Sequence, residues 1–169
     1  MSRRPPVRRE LVLDVAPRGN GELSLSPTAD PMGRLVEAVR AAARAFAPAF
    51  DPPLDLARVE RTAAYGRPST MAATWGAAPR TLSLCAEAEH TSPHNLASQL
   101  SARATARVPG ALVSASATRS RASYALQGGR STMTHPGRQA IRLVVEGPGV
   151  ASVERAVAAA RAVLDAPGP

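Results

Sequence analysis

Apolar residues recur at three- and four-residue steps between Asp30 and Ala47. Met32, Leu35, Val36, Val39, Ala43 and Phe46, with Phe50 just beyond, fall on one stripe of a helix. Asp30 is placed to cap the first orphan amides, and Pro31 suits the first helical position. Pro48 and the Asp51-Pro52-Pro53 run end the helix. Upstream, Leu11, Leu13 and Val15 alternate with Glu10, Val12 and Asp14. Leu23 and Leu25 alternate with Ser24 and Ser26 after a Pro17-Arg18-Gly19-Asn20-Gly21 turn. That pattern predicts a hairpin leading into the helix.

The same order is expected twice more. Strands at 54–65 and 80–89 flank a loop from Gly66 to Pro79. A helix is then predicted from Pro93 to Val108, with Leu96, Leu100, Ala104 and Val108 on one face, Ser92 as cap and Pro109-Gly110 as stop. Strands near 112–126 and 139–146 follow, around a loop from Gln127 to Arg138. A last helix is predicted from about Val150 to Asp165, striped by Val150, Val153, Val157, Ala160 and Leu164. Tyr65-Gly66-Arg67-Pro68-Ser69-Thr70-Met71 is faintly echoed by Tyr124 followed by Gly129-Arg130-Ser131-Thr132-Met133, which suggests a duplicated unit. The expected fold is α+β: a mainly antiparallel sheet built from three hairpin-plus-helix (ββα) units, with the helices on one face. The units run over 9–50, 54–108 and 111–166 of a single domain at 9–166, after a disordered basic arm at 1–8.

Composition narrows the class. A chain of 169 residues, 44% apolar and 20% charged, is globular rather than disordered. Aromatic residues are only 3%, so Leu, Val and Ala must build the core. One cysteine, Cys85, excludes an internal disulfide and points to a reducing compartment, the cytoplasm. Arg3-Arg4 has no apolar run behind it, as a signal peptide would need, and no stretch is long enough to span a membrane.

The charge changes the picture most. All of the basic residues are Arg, the formal net charge is +8, and the excess sits in residues 61–145. That segment holds ten Arg against Glu87 and Glu89 alone. A guanidinium matches a phosphate or carboxylate in two parallel bonds, and a cluster attracts polyanions in a salt-dependent way. Arg67, Arg103, Arg107, Arg119, Arg121, Arg130 and Arg138 are therefore the candidate polyanion-binding residues, for nucleic acid or a similar ligand. The loops Gly66-Arg67-Pro68-Ser69-Thr70 and Gly128-Gly129-Arg130-Ser131-Thr132 combine open backbone, hydroxyls and guanidinium as phosphate cradles. Arg103 and Arg107 are expected one helical turn apart.

Other chemistry is thinner. Cys85, His90 and His94 have metal-ligand residue types, but a site would need a distant fourth ligand such as His135. A thiol nucleophile at Cys85 would need a histidine within hydrogen-bond reach. Gly147-Pro148-Gly149 joins a strand to a helix without a full phosphate-binding glycine pattern. Ser114, Ser116, Thr118 and Ser120 form a hydroxyl ladder on one strand face, opposite Val113, Ala115 and Ala117. If that strand lies at a sheet edge, it is suited to pairing with another subunit. No cofactor is implied. The leading reading is a non-enzymatic basic domain binding nucleic acid or another polyanion. Beside it stands an assembly or adaptor subunit of a homo-oligomer or larger complex, and behind both a small enzyme using the Cys85, His90 and His94 neighbourhood.

Overall fold

In the computed structural model, residues 5–15, 25–28, 31–54, 59–62, 69–90, 95–125, 132–136 and 139–166 are described. In chain order they form strand β1 (Val7–Val15), helix α1 (Met32–Arg44), strands β2 (Val59–Thr62), β3 (Ser69–Ala77), β4 (Arg80–His90), β5 (Asn95–Val108), β6 (Ala111–Ala125), β7 (Thr132–Pro136) and β8 (Gln139–Gly147), and helix α2 (Val150–Asp165). Six long strands lie side by side in the order β1-β8-β6-β5-β4-β3, every pair antiparallel. The short β2 continues the sheet beyond β3, and the short β7 pairs with the end of β6. Both helices lie on one face. The architecture is thus α+β, antiparallel, with helices on one side.

The ββα repeat is not what this chain forms. Residues 95–108, expected as the second helix, are strand β5, hydrogen-bonded on both sides to β4 and β6. The reason is an alias. Leu96, Leu100, Ala104 and Val108 recur every fourth residue, and four is both one helical turn and two strand repeats. The residues between them decide, because Ala102 and Ala106 are buried while Ser101, Arg103 and Arg107 are exposed. Only period two gives that alternation.

Pro109-Gly110, expected to stop a helix, instead makes the two-residue turn of the β5–β6 hairpin, between the paired Val108 and Ala111. Gly110 has φ 80°, and Pro followed by a left-handed Gly is the type II pattern. Gly110→Val should therefore cost about 1–3 kcal/mol in backbone strain, read as a lower urea midpoint. Gly110→Asn should cost clearly less, because Asn tolerates this region. Equal midpoints for Val and Gly would contradict the turn.

Three further expectations are corrected. β1 pairs with β8 at the far end of the chain, and Leu25, meant for its hairpin partner, is not in a strand, while Leu23 lies outside the described residues. Val7 and Arg8 belong to β1 rather than to a disordered arm. Of the strand expected over 54–65, Leu54 is not in a strand, and β2 covers Val59–Thr62. The expectations for α1, β4, β8 and α2 match the observed elements closely, and β6 ends one residue short of its expected end.

The core is built mostly of small side chains. On the helix side of the sheet, Met71 of β3, Ala86 of β4, Ala102 of β5, Ala117 of β6 and Ile141 of β8 form one cross-strand row. The next row is Ala73, Leu84, Ala104, Ala115 and Leu143. All ten are buried. Alanine under the helices lets α1 seat across β5 and β6, where it also packs on α2. Met32, Leu35, Val36 and Val39 of α1 and Val153, Val157 and Leu164 of α2 fill the layer between. The Ala-rich stripe of α2 faces this core, not an outside partner. Beyond α1, the Phe46 ring covers Gly147 at the end of β8, where a Cβ would come within 2.4 Å of Phe46 Cε1. Arg44 Nη2 donates to Asp51 Oδ1 at 2.8 Å, and Arg40 bonds the same oxygen. Those two hydrogen bonds, Arg40's first, hold the Asp51 carboxyl below its ordinary range.

Candidate interaction face

Because the helices cover one face only, the other face of the six long strands is open among the described residues. Its side chains are the odd-numbered positions of β4 and β5 and the even-numbered ones of β1, β3, β6 and β8. Register arranges them in rows running across the sheet. One row is Thr70, Glu87, Ser101, Thr118, Ala140 and Asp14, from β3 to β1. The next is Ala72, Cys85, Arg103, Ser116, Arg142 and Val12, and the third is Thr74, Ser83, Thr105, Ser114, Val144 and Glu10. A fourth holds Thr81, Arg107, Leu112, Glu146 and Arg8.

The strands of this face differ sharply in charge. β1, at the end of the sheet, presents Arg8, Glu10 and Asp14 with the exposed Val12 among them, a mostly charged edge strand. β6, in the middle, presents Leu112, Ser114, Ser116 and Thr118 with no charge, and β3 presents Thr70, Ala72 and Thr74. Over the first two rows the short side chains leave a hollow of about 600 Å³ above the bare sheet. Glu87 and Arg103 are its charged lining residues, and Cys85 stands between them as an exposed free thiol.

Electrostatics sorts the charges into occupied and free. Glu10 is bonded by Arg8 at 3.0 Å and by Arg142. The hydrogen bond from Arg142 is the main reason its carboxyl lies below the ordinary range. All three groups are solvent-exposed, so this cluster adds little stability. Arg103 and Arg107 have no ion-pair partner among the described residues, and neither have Glu87 and Glu89. Cys85 opposes Arg103, and Glu87 opposes Ser101. Along the β4–β5 face the acids therefore lie at one end, Arg103 at the middle and Arg107 at the other end.

Of the seven arginines proposed for polyanion binding, the described side chains place two on this face. Arg103 and Arg107 are exposed on the open face, four residues apart on a strand and so about 13 Å apart, not one helical turn. Arg119 is buried on the opposite, helix-covered side, and has a partner. Arg121 lies in β6. Arg67, Arg130 and Arg138 lie outside the described residues, as do most of the two proposed phosphate loops. Counting described side chains, the open face carries Arg8, Arg103, Arg107 and Arg142 against Glu10, Asp14, Glu87, Glu89 and Glu146. It is electrically mixed, not basic.

Of the metal and thiol candidates, Cys85 is on the open face beside Glu87, His90 ends β4, His135 lies in β7, and His94 is outside the described residues. Among the described residues no three His, Cys, Asp or Glu side chains stand close enough to hold a metal ion. Gly147-Pro148-Gly149 joins β8 to α2, with Gly149 in the N-cap position. No helix among the described residues is long and apolar enough to cross a membrane.

The hydroxyl ladder of Ser114, Ser116 and Thr118 is on the open face, with Val113, Ala115 and Ala117 buried behind it. Its strand is no edge, since β6 is paired on both sides. What sequence reasoning missed is that Thr70, Thr74, Ser83, Ser101 and Thr105 extend this ladder over the neighbouring strands. The alternation in 80–89 carried part of that signal, but the helical reading of 93–108 broke its continuity. Comparison of the chain with known protein families, with curated proteins and with solved structures found no match.

Proposed function

We propose that this protein is a non-enzymatic assembly subunit whose open sheet face is a protein-contact surface. One observation carries the reading. On the uncovered face β6 presents Leu112, Ser114, Ser116 and Thr118 and β3 presents Thr70, Ala72 and Thr74, none of them charged, and the short side chains of these strands border the hollow. A face selected only for wetting has no reason to leave whole strands without charge. A charge-depleted patch beside charged neighbours is the compositional signal of a contact surface.

Cys85 sits on this surface and reports its state. In extracts of cells making the protein, Cys85 should react with a maleimide at least several-fold more slowly than in the dilute purified chain. Ser101→Trp places a rigid ring in the hollow and should abolish that protection while leaving the circular dichroism spectrum unchanged. Equal labelling rates in extract and in dilute solution would sink the reading.

Polyanion binding is the second reading, and Arg103 and Arg107 favour it, both being exposed on one face and free of ion pairs among the described residues. It requires binding to heparin or RNA that falls steeply with salt. Binding unchanged in Arg103→Ala/Arg107→Ala would remove its support.

A further inference from the structure

We infer that the occupant of the open face is a second copy of this chain, docked sheet to sheet about a two-fold axis that runs across the strands. This deepens the assembly reading and rests on it. The first argument is charge. Glu87 and Glu89 lie at one end of the β4–β5 face, and Arg103 and Arg107 lie toward the other. A two-fold axis crossing the strands between these groups turns each copy end for end over its partner. Acids of one copy then lie above arginines of the other, and the same pairing is made twice by symmetry. A two-fold axis along the strands would instead bring the acid-bearing end of one copy over the same end of the other, so the charge pattern selects one orientation.

The second argument is area. Six strands at their usual spacing, each with a paired stretch of about nine residues, make a face of roughly 30 by 25 Å. That is close to the roughly 800 Å² per partner of an ordinary specific interface. The third is relief. Ala72, Ser83, Ser101 and Ser116 project little from the sheet, so two such faces can approach at the spacing of a packed pair of sheets. Cys85 shares the row of Arg103, directly beside the proposed axis, so the two copies' thiols come near each other.

The test is mutual rescue of charge reversals, with mass measured by sedimentation or light scattering. Wild type should be a dimer that weakens as salt rises. Arg103→Glu/Arg107→Glu should be monomeric, since acids would then oppose acids at both contacts. Glu87→Arg/Glu89→Arg should be monomeric for the converse reason. An equimolar mixture of the two should form a dimer again, and a short bismaleimide should link Cys85 to Cys85 in the wild type and in the mixture, but in neither variant alone.

A wild type that is monomeric at every concentration overturns the second copy as occupant. If Cys85 is nevertheless protected in extracts, the contact-surface reading stands with a different protein on the face. A dimer lost in Ser101→Trp but indifferent to charge reversal, or one with no rescue on mixing, overturns the end-for-end arrangement alone. A dimer insensitive to all of these substitutions overturns both readings.

Discussion

Ala106→Asp should cost about 3–5 kcal/mol, enough to unfold much of the population of a domain of ordinary stability. Arg107→Thr, one residue away, should stay within about 0.5 kcal/mol. Ala106 is fully buried on the helix side of β5, and its register partners Leu82 and Val113 are buried too. A carboxylate placed there loses its water and faces apolar partners on both neighbouring strands. Arg107 points to the open face with its side chain in solvent. The pair also separates the strand from the helix that residues 93–108 suggest. On a helix whose stripe is Leu96, Leu100, Ala104 and Val108, residue 106 lies on the far, solvent side, and Ala106→Asp would be mild. Urea midpoints of the two variants decide it, and similar midpoints for both would refute the strand.

The same segment shows what could be read from the chain and what could not. α1 and α2 were legible because their stripes mix steps of three and four. Met32, Leu35, Val36 and Val39, like Val153, Val157, Ala160 and Leu164, fit a helix and no strand. β5 was not legible from its large residues, which fall only at multiples of four. Its other buried positions, Ala102 and Ala106, carry too little hydrophobic contrast against Ser101 and Arg103 to betray a period of two. A core of alanine hides its strands in this way, since alanine also favours helices. Reading β5 as a helix makes Pro109-Gly110 its stop, and together with a loop read where β3 lies and a local hairpin read for β1 it produces the ββα repeat.

The pairing of β1 with β8 had a different obstacle. It joins the two ends of the chain, and nothing local distinguishes it from a hairpin with Leu23 and Leu25. For the candidate site, the ladder at Ser114, Ser116 and Thr118 was visible as an alternation within one strand. Its breadth depends on register between strands, which brings Thr70, Ser101 and Thr118 into a single row. The arginine excess of residues 61–145 was equally plain, but its meaning depended on direction. Arg103 and Arg107 turn outward, while Arg119 turns into the helix-covered side. No count along the chain contains that difference.

Gln139→Met should raise stability by about 1–3 kcal/mol, the usual cost of a buried polar group left unpaired. Gln139 opens β8 and is completely buried. Among the described residues its amide nitrogen and oxygen have no hydrogen-bond partner. The residue paired with it on β1, Val15, offers only apolar surface. Arg119 is one position beyond the Thr118–Ala140 pair that ends the β6–β8 ladder, and it has an interaction of its own. Met has nearly the length of Gln and adapts to an irregular space, so the exchange removes the amide without opening a cavity. The gain should appear as a higher urea midpoint at unchanged slope, and Gln139→Ala should instead be destabilising because it leaves a void. Because the helix-covered side takes no part in the proposed contact, Gln139→Met should leave the dimer mass and the Cys85 cross-link as they are in the wild type. A loss of more than about 1 kcal/mol in Gln139→Met would show that the amide is bonded in solution. A bridging water would be the simplest partner, because it supplies two or more hydrogen bonds to a buried polar group.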